Sequence, residues 1–549
     1  MPEKWSVEAV AAVPSGRGRG ERGGTRAGLP MSRQRAERRR VWRRWPSRLR
    51  AAGLAVLTLA GCFAGAGTTQ ALAADPSGHG TPKPLVWGSC PQDTAGAAPV
   101  TRDPRLQCAR LAVPLDHRRP NGPHIAIEVS RIRSGAAHPL ALMVGQGGPG
   151  FGGLDLPSAE ETALPPEVAA RTDIYGMDYR GIGASSPLDC DIAPADRSEA
   201  TGVPYPAADG SIDANTAWAA RIAADCAAHA GDELRYVNTV NIARDINSLR
   251  VALGLPTLSY TGTSYGTFVG AVYASLYPTT SGRVLLNSVV PPGGVKEAIE
   301  HKGQAVETAF PPFADWVAAR DATYHLGATR TAVRSAVLAT AEHLNSHPIP
   351  LTDGAPLTGN LLLEAQEALL EQRTYYPLLA GLLKDARTGS LPSGSGSDLP
   401  WSQLLTDNFV SAQDAVVCND SAWPRDPAHY RTAVTRNAAR YPLTAGSPRN
   451  VWPCAFWTTR TSDRAPTPNP HGPANILLLQ NTADPSTAPS GAVATRKAFG
   501  HRAALVTVDA VGHGVDMTQP CVAEQVTRFL LHPGPPRPAT CPGIRRQTP

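Results

Sequence analysis

The chain has no apolar run of the roughly 20 residues that a helix needs to cross a bilayer, no Cys-x-x-Cys pair and no evident internal repeat. The first absence excludes a membrane-spanning helix, the second argues against a cysteine-based metal site, and the third argues against a repeat architecture. Net charge is also scarce once its distribution is followed. The formal balance is +6 over 549 residues, but residues 1–50 hold 14 of the 52 basic and only four of the 46 acidic side chains. The remainder carries 38 basic and 42 acidic groups, a mildly acidic body with no nucleic-acid footprint.

The basic character belongs to a targeting segment. An Arg-rich stretch runs from Arg33 to Arg50, an apolar one from Ala51 to Ala60, and small residues follow from Gly61 to Ala74. That order is the one a secretory signal peptide shows, and it predicts export of the mature chain. Met31 stands just ahead of the Arg cluster, so translation is expected to start at Met31 or at Met1. Leu59-Ala60-Gly61-Cys62 is similar to a bacterial lipobox, with Cys62 as a lipidation candidate that would tether the protein to the outer face of the membrane. Cleavage after Ala71-Leu72-Ala73 is the alternative and would release the protein fully.

Either cleavage leaves eight cysteines, an even number suited to an oxidising compartment. Parity does not fix the pairing, since eight cysteines allow 105 connectivities. Their local grouping favours Cys90–Cys108, Cys190–Cys226, Cys418–Cys454 and Cys521–Cys541.

Beyond the linker-like residues 75–84, short apolar runs alternate with helical periods. Strands are expected at Ala109–Val113, His124–Ser130, Leu140–Val144, Asp173–Met177, Leu258–Thr261 and Arg283–Val290. Ile242, Ile246, Leu249 and Leu253 mark an amphipathic helix, with Gly254 as its stop signal. From about Pro291 to Pro473 helical periods dominate, and the strand–helix rhythm resumes at Ile476–Gln480 and Ala504–Val508. The expected architecture is a mainly parallel sheet with helices on both faces, residues 75–290 and 474–549, and a large helical cap, residues 291–473, inserted before the last strands.

Gly262-Thr263-Ser264-Tyr265-Gly266 is a G-x-S-x-G pentapeptide between a β-prone run and a helix, the setting of a nucleophile elbow in an α/β-hydrolase fold. A serine hydroxyl needs a base, normally a histidine held by a carboxylate, and in this fold the order is Ser, acid, His. Asp484 follows the strand Ile476–Gln480, and His513 stands in a Gly-flanked loop after the next strand. Asp509 and Asp516 are rival acids, but lie too close to His513 in sequence to orient its ring from behind. The oxyanion donors are expected from the backbone of Tyr265 and of Gly147 and Gly148 in the Gly147-Gly148-Pro149-Gly150 loop. No metal or organic cofactor is needed for such acyl transfer.

With these residues the chain resembles the secreted bacterial tripeptidyl aminopeptidases, relatives of the prolyl aminopeptidases. The segments that carry the resemblance are Val113–His117, Gly147–Gly150, Asp178–Ser185, Gly262–Thr267, Val417-Cys418-Asn419-Asp420, Asp484-Pro485 and Gly512–Gly514. Tyr179, where Pro is usual, and Asn287-Ser288, where Asp-Gly is usual, depart from the pattern. The resemblance implies release of short, three-residue fragments from peptides with a free N-terminus. An exopeptidase needs a carboxylate for the substrate ammonium, and the cap region offers Glu364, Glu367, Glu371, Asp414 and Asp420. The three Glu share one helix face at i, i+3 and i+7, which is expected to be a solvated charged face. A carboxylesterase or lipase with the same triad is the alternative, and a non-catalytic peptide-binding lipoprotein is a further one.

Overall fold

Residues 84–91, 102–197, 205–351, 356–389, 391, 405–461 and 463–543 are described by a computed structural model. The expected export segment, both possible starts and Cys62 lie outside the described residues. Nine strands form one sheet: β1 (Gln107–Pro114), β2 (His124–Ile132), β3 (Leu140–Gly145), β4 (Thr172–Met177), β5 (Leu258–Ser264), β6 (Ser281–Val289), and, after the two-residue strands β7 (Ile349–Pro350) and β8 (Pro356–Leu357), β9 (Ile476–Ala483), β10 (Ala503–Val511) and β11 (Ala539–Pro542). The spatial order is β1-β2-β4-β3-β5-β6-β9-β10-β11. The contacts of β2 with β1 and with β4 are antiparallel, and all other neighbours run parallel.

Burial follows position in the sheet. The interior strand β4 is buried at every residue, whereas β1, at the edge, mixes buried and exposed positions. A strand covered by helices on both faces is mostly apolar, as Ile174–Met177 is, and an edge strand with one wet face need not be. Successive residues of the central strands feed two separate cores. Leu286, Leu478 and Met143 pack on one face with helices Thr239–Ala252 and Tyr265–Leu276. Leu285, Leu477 and Leu142 pack on the other with helix Pro520–Leu531.

The insertion between β6 and β9 packs in two ways. Helices Val295–Ala318, Arg330–Ser346, Gly359–Leu369 and Tyr376–Thr388 enclose their own core around Phe310, Phe313, Leu362 and Leu383. Helices Asp407–Asp420 and Pro427–Arg440 and the segment Val451–Trp457 instead share the first sheet-face core. Among the described residues, no helix is long and apolar enough to cross a membrane.

Among the described residues four disulfides are present: Cys90–Cys108, Cys190–Cys226, Cys418–Cys454 and Cys521–Cys541. The last ties helix Pro520–Leu531 to β11, a four-residue edge strand that no sequence pattern announces. Such bridges fit an extracellular or envelope location.

Because β5, β6, β9 and β10 are parallel neighbours, their carboxyl ends share one edge of the sheet. Ser264 ends β5, Asp484 follows β9 and His513 follows β10. The topology thus delivers three residues spread over some 250 positions to one rim.

Candidate active site

Ser264 occupies the sharp turn from β5 into helix Tyr265–Leu276, with φ 58° and ψ −126°. An L-residue rarely adopts that conformation, and it persists only where the surroundings impose it. They do so through glycine on both sides. A Cβ on Gly266 would sit 2.6 Å from the Gly145 carbonyl oxygen, and one on Gly262 2.6 Å from the Gly266 carbonyl oxygen. Ser264 stands at the N-cap position, yet its side chain makes no capping hydrogen bond, so an ordinary helix cap does not account for it. Thr267 Oγ1 donates to the Ser264 carbonyl at 2.6 Å and accepts from Val290 N at 2.9 Å, which ties the turn to the segment after β6.

The Gly147–Gly150 loop lies against this turn: a Cβ on Gly147 would be 3.6 Å from Ser264 Cβ. The buried Tyr265 carries its hydroxyl 2.8 Å from Thr239 Oγ1, which in turn donates to Asp420 at 2.5 Å. Burial pushes Asp420 up to about 6, against the two bonds it accepts from Thr239.

Asp484 is fully buried and accepts from Ser486 N at 2.9 Å, Thr487 N at 2.8 Å and Thr487 Oγ1 at 2.8 Å. His513 Nδ1 lies 3.0 and 3.1 Å from its two oxygens. Burial opposes ionisation of Asp484, but the imidazolium charge and the hydrogen bonds prevail and hold it below the usual carboxylate range. For His513, burial likewise opposes charge, and Asp484, then Glu371, outweigh it and push the imidazole up to about 9.

His513 sits between Gly512 (φ 115°) and Gly514 (φ 91°). A Cβ on Gly512 would lie 2.6 Å from the Glu371 carbonyl oxygen, the same oxygen that accepts from His513 N at 2.8 Å. The rival acids are engaged elsewhere. Asp509 accepts from Thr482 Oγ1 at 3.3 Å, and Asp516 caps the turn at Thr518.

The loop is gripped from below by three side chains whose role no motif revealed. Asn287 exchanges two hydrogen bonds with the Val515 backbone, at 2.9 and 2.7 Å. Asn481 donates to the carbonyls of Gly512 and Gly514, at 2.9 and 3.1 Å. Ser288 Oγ accepts from Gly514 N at 2.8 Å. A buried asparagine near the end of a strand carries no distinctive spacing, so only the tertiary contact exposes it.

The expected solvated face of Glu364, Glu367 and Glu371 is a misreading. Glu367 is only 4% exposed and accepts from Tyr205 Oη at 2.7 Å and Lys302 Nζ at 2.9 Å. Glu371 lies beyond the end of helix Gly359–Leu369, where its carboxylate meets Ser486 Oγ. Glu364, Glu367 and Glu371 all act on the charge of Lys302, and Glu371 and Lys302 act on His513, so this cluster borders the histidine. Asp414 is buried with Oδ2 unbonded, and burial pushes it up to about 8.

His343 and His347 stand at i, i+4 and stack at 4.7 Å. Among the described residues, no group of three or more His, Cys, Asp or Glu could hold a metal ion.

Residues 441–541 match the family described as TAP-like protein. The chain is 30% identical over 481 residues to a tripeptidyl aminopeptidase of Streptomyces coelicolor, covering 83% of this chain and 86% of that one. It is 26% identical to the serine protease Hip1 of Mycobacterium tuberculosis (88% and 95% covered) and 28% identical to that organism's carboxylesterase B (81% and 87% covered). With the sheet order, the strained serine turn and the His–Asp pair already established, these similarities settle the assignment: the chain belongs to the tripeptidyl aminopeptidase family of α/β-hydrolase-fold serine hydrolases.

Proposed function

We propose that Ser264 is the nucleophile, His513 its base and Asp484 the orienting acid of an exported peptidase that releases short, tripeptide fragments from free N-termini. Ser264 attacks the scissile carbonyl while His513 Nε2 takes its proton. Asp484 holds the Nδ1–H tautomer and stabilises the imidazolium. The backbone N–H groups of Tyr265 and of Gly147 and Gly148 bind the oxyanion. His513 then protonates the leaving amine, and water hydrolyses the acyl-enzyme.

One observation carries this reading: the 3.0 Å His513–Asp484 hydrogen bond on the same sheet rim as the strained Ser264 turn. The free N-terminus finds support in the cluster beside His513, where three Glu face one Lys and leave a negative field suited to an ammonium. The relatives named tripeptidyl aminopeptidase and serine protease favour peptides, while the one named carboxylesterase keeps ester hydrolysis as the second reading. Export follows from the Arg-rich, apolar and small-residue order of residues 33–74, with a lipid anchor at Cys62 as the tethered form.

The test pairs free and N-acetylated tripeptide anilides with p-nitrophenyl esters. Turnover of the free anilides alone is the expected result. Ester turnover with no anilide cleavage would favour the esterase.

A further inference from the structure

Ser288 sits where serine is a poor choice twice over. Its φ is 57°, a conformation glycine adopts freely and a side chain resists. It is also completely buried, where a hydroxyl without partners is costly. Backbone geometry alone would therefore place glycine here, and what serine adds is one oxygen and one proton.

Both have a defined use. The oxygen accepts from Gly514 N at 2.8 Å. The proton is then left for the Asp484 carboxylate, and the Ser288 hydroxyl is among the groups that keep this carboxyl low. Gly514 directly follows His513, and His513 Nδ1 bonds Asp484 at 3.0 Å. Ser288 thus stands between the two partners of the base: its oxygen holds Gly514 N, its hydroxyl bears on Asp484, and Asp484 bonds the imidazole of His513 next to Gly514.

We propose that Ser288 is a positioning residue, whose hydroxyl locks the acid and the loop of the base to each other and so fixes the direction of the imidazole toward Ser264. This inference rests on the triad assigned above. The linkage matters because the glycines on either side of His513 both hold positive φ and leave the loop few steric restraints of its own. Asn287, Asn481 and the Glu371 carbonyl hold the loop's backbone in place without Ser288. Removing the hydroxyl therefore leaves the loop folded and frees the angle between carboxylate and ring. Misplacement of a reacting group by about 1 Å can cost on the order of 100-fold in rate.

Ser288→Gly separates positioning from packing because the two predict opposite signs. It removes the hydroxyl and relieves the φ strain, so the thermal midpoint is expected to hold or rise. With a tripeptide anilide as substrate, kcat is expected to fall roughly 10- to 100-fold with KM within about twofold, by the same positional argument. The acid limb of the kcat/KM profile is expected to move to higher pH, because a carboxylate stripped of one donor pairs more strongly with the imidazolium. Ser288→Ala keeps the strain without the hydroxyl and is expected to show the same kcat loss with a lower midpoint. If the alanine variant fails to fold, the glycine variant alone decides. A glycine variant with undiminished kcat and an unmoved acid limb overturns the proposal. Ser264→Ala, measured alongside, separates the two levels: if it is inactive while Ser288→Gly is fully active, only the role of Ser288 fails. If Ser264→Ala turns over normally, the triad assignment fails and this inference with it.

Discussion

Replacing Asp484 with Asn changes one atom in the most constrained part of the site. The carboxylate accepts from two backbone N–H groups, from the Thr487 hydroxyl and from His513 Nδ1. Asn keeps one acceptor oxygen, which the Ser486 and Thr487 amides claim. Its Nδ2 then faces His513 and donates to Nδ1, so the ring proton moves to Nε2. In that tautomer the imidazole cannot accept the Ser264 proton. The same exchange in a Ser-His-Asp triad lowers kcat by about 10⁴, a barrier increase of roughly 5 kcal/mol. A second signature is independent of rate. Asp484 is what pushes His513 up to about 9 against its burial, so in Asp484→Asn the imidazole falls below its ordinary value near 6.5. The assay is the kcat and kcat/KM of a tripeptide anilide from pH 5 to 10, with thermal unfolding as a control. A folded Asp484→Asn variant within tenfold of wild type, or with an unmoved acid limb, would refute this chain of reasoning.

In the unaltered protein, kcat/KM is expected to rise from neutral pH toward about 9, because the base form of His513 appears only through that ionisation. The linked stability has the opposite slope: the folded value lies above the unfolded one, so the pair stabilises fully below about pH 6.5 and loses that contribution as pH rises through about 9, which urea titrations at several pH values will show. Gly266→Ala is expected to abolish turnover and soluble yield together, since its methyl would lie 2.6 Å from the Gly145 carbonyl oxygen. Arg180→Ala leaves the buried Asp245, which Arg180 holds at 2.6 and 2.7 Å, with His117 as its remaining partner, and is expected to cost about 3 kcal/mol in chemical denaturation. Removing Cys190–Cys226, which closes a separation of 36 residues, is expected to cost about 4 kcal/mol by the chain-entropy relation, measured as a shift of the urea midpoint.

What the sequence disclosed follows from where the physics is local. The central strands read as strands because burial on both faces demands unbroken apolar runs, as in Leu140–Val144 and Ile476–Gln480. The elbow read as an elbow because only glycine fits beside a residue at φ 58°, and that constraint is written into five consecutive positions. Other features depend on partners distant in the chain. β11 is four residues long, contains Pro542 and is held by a disulfide and a parallel neighbour. Helix Asp213–His229 is Ala-rich with a weak apolar stripe, and its burial is decided by the disulfide partner Cys190 and the packing of Trp218. Glu367 has the spacing of a solvated face, and Lys302, 65 positions earlier, together with Tyr205 turns it inward. Asn287 and Ser288 stood out merely as departures from a familiar pattern. Their meaning lies in the loop they touch some 228 positions later.

The central claim is that the Ser264 hydroxyl is the activated nucleophile of this rim. Reaction of the intact protein with a fluorophosphonate, followed by peptide mapping, tests it most directly. One adduct on the peptide containing Ser264, formed in step with the loss of peptidase turnover and absent in His513→Ala, is the expected result. Full loss of turnover with the adduct on any other residue, or unimpaired turnover with Ser264 modified, would contradict it.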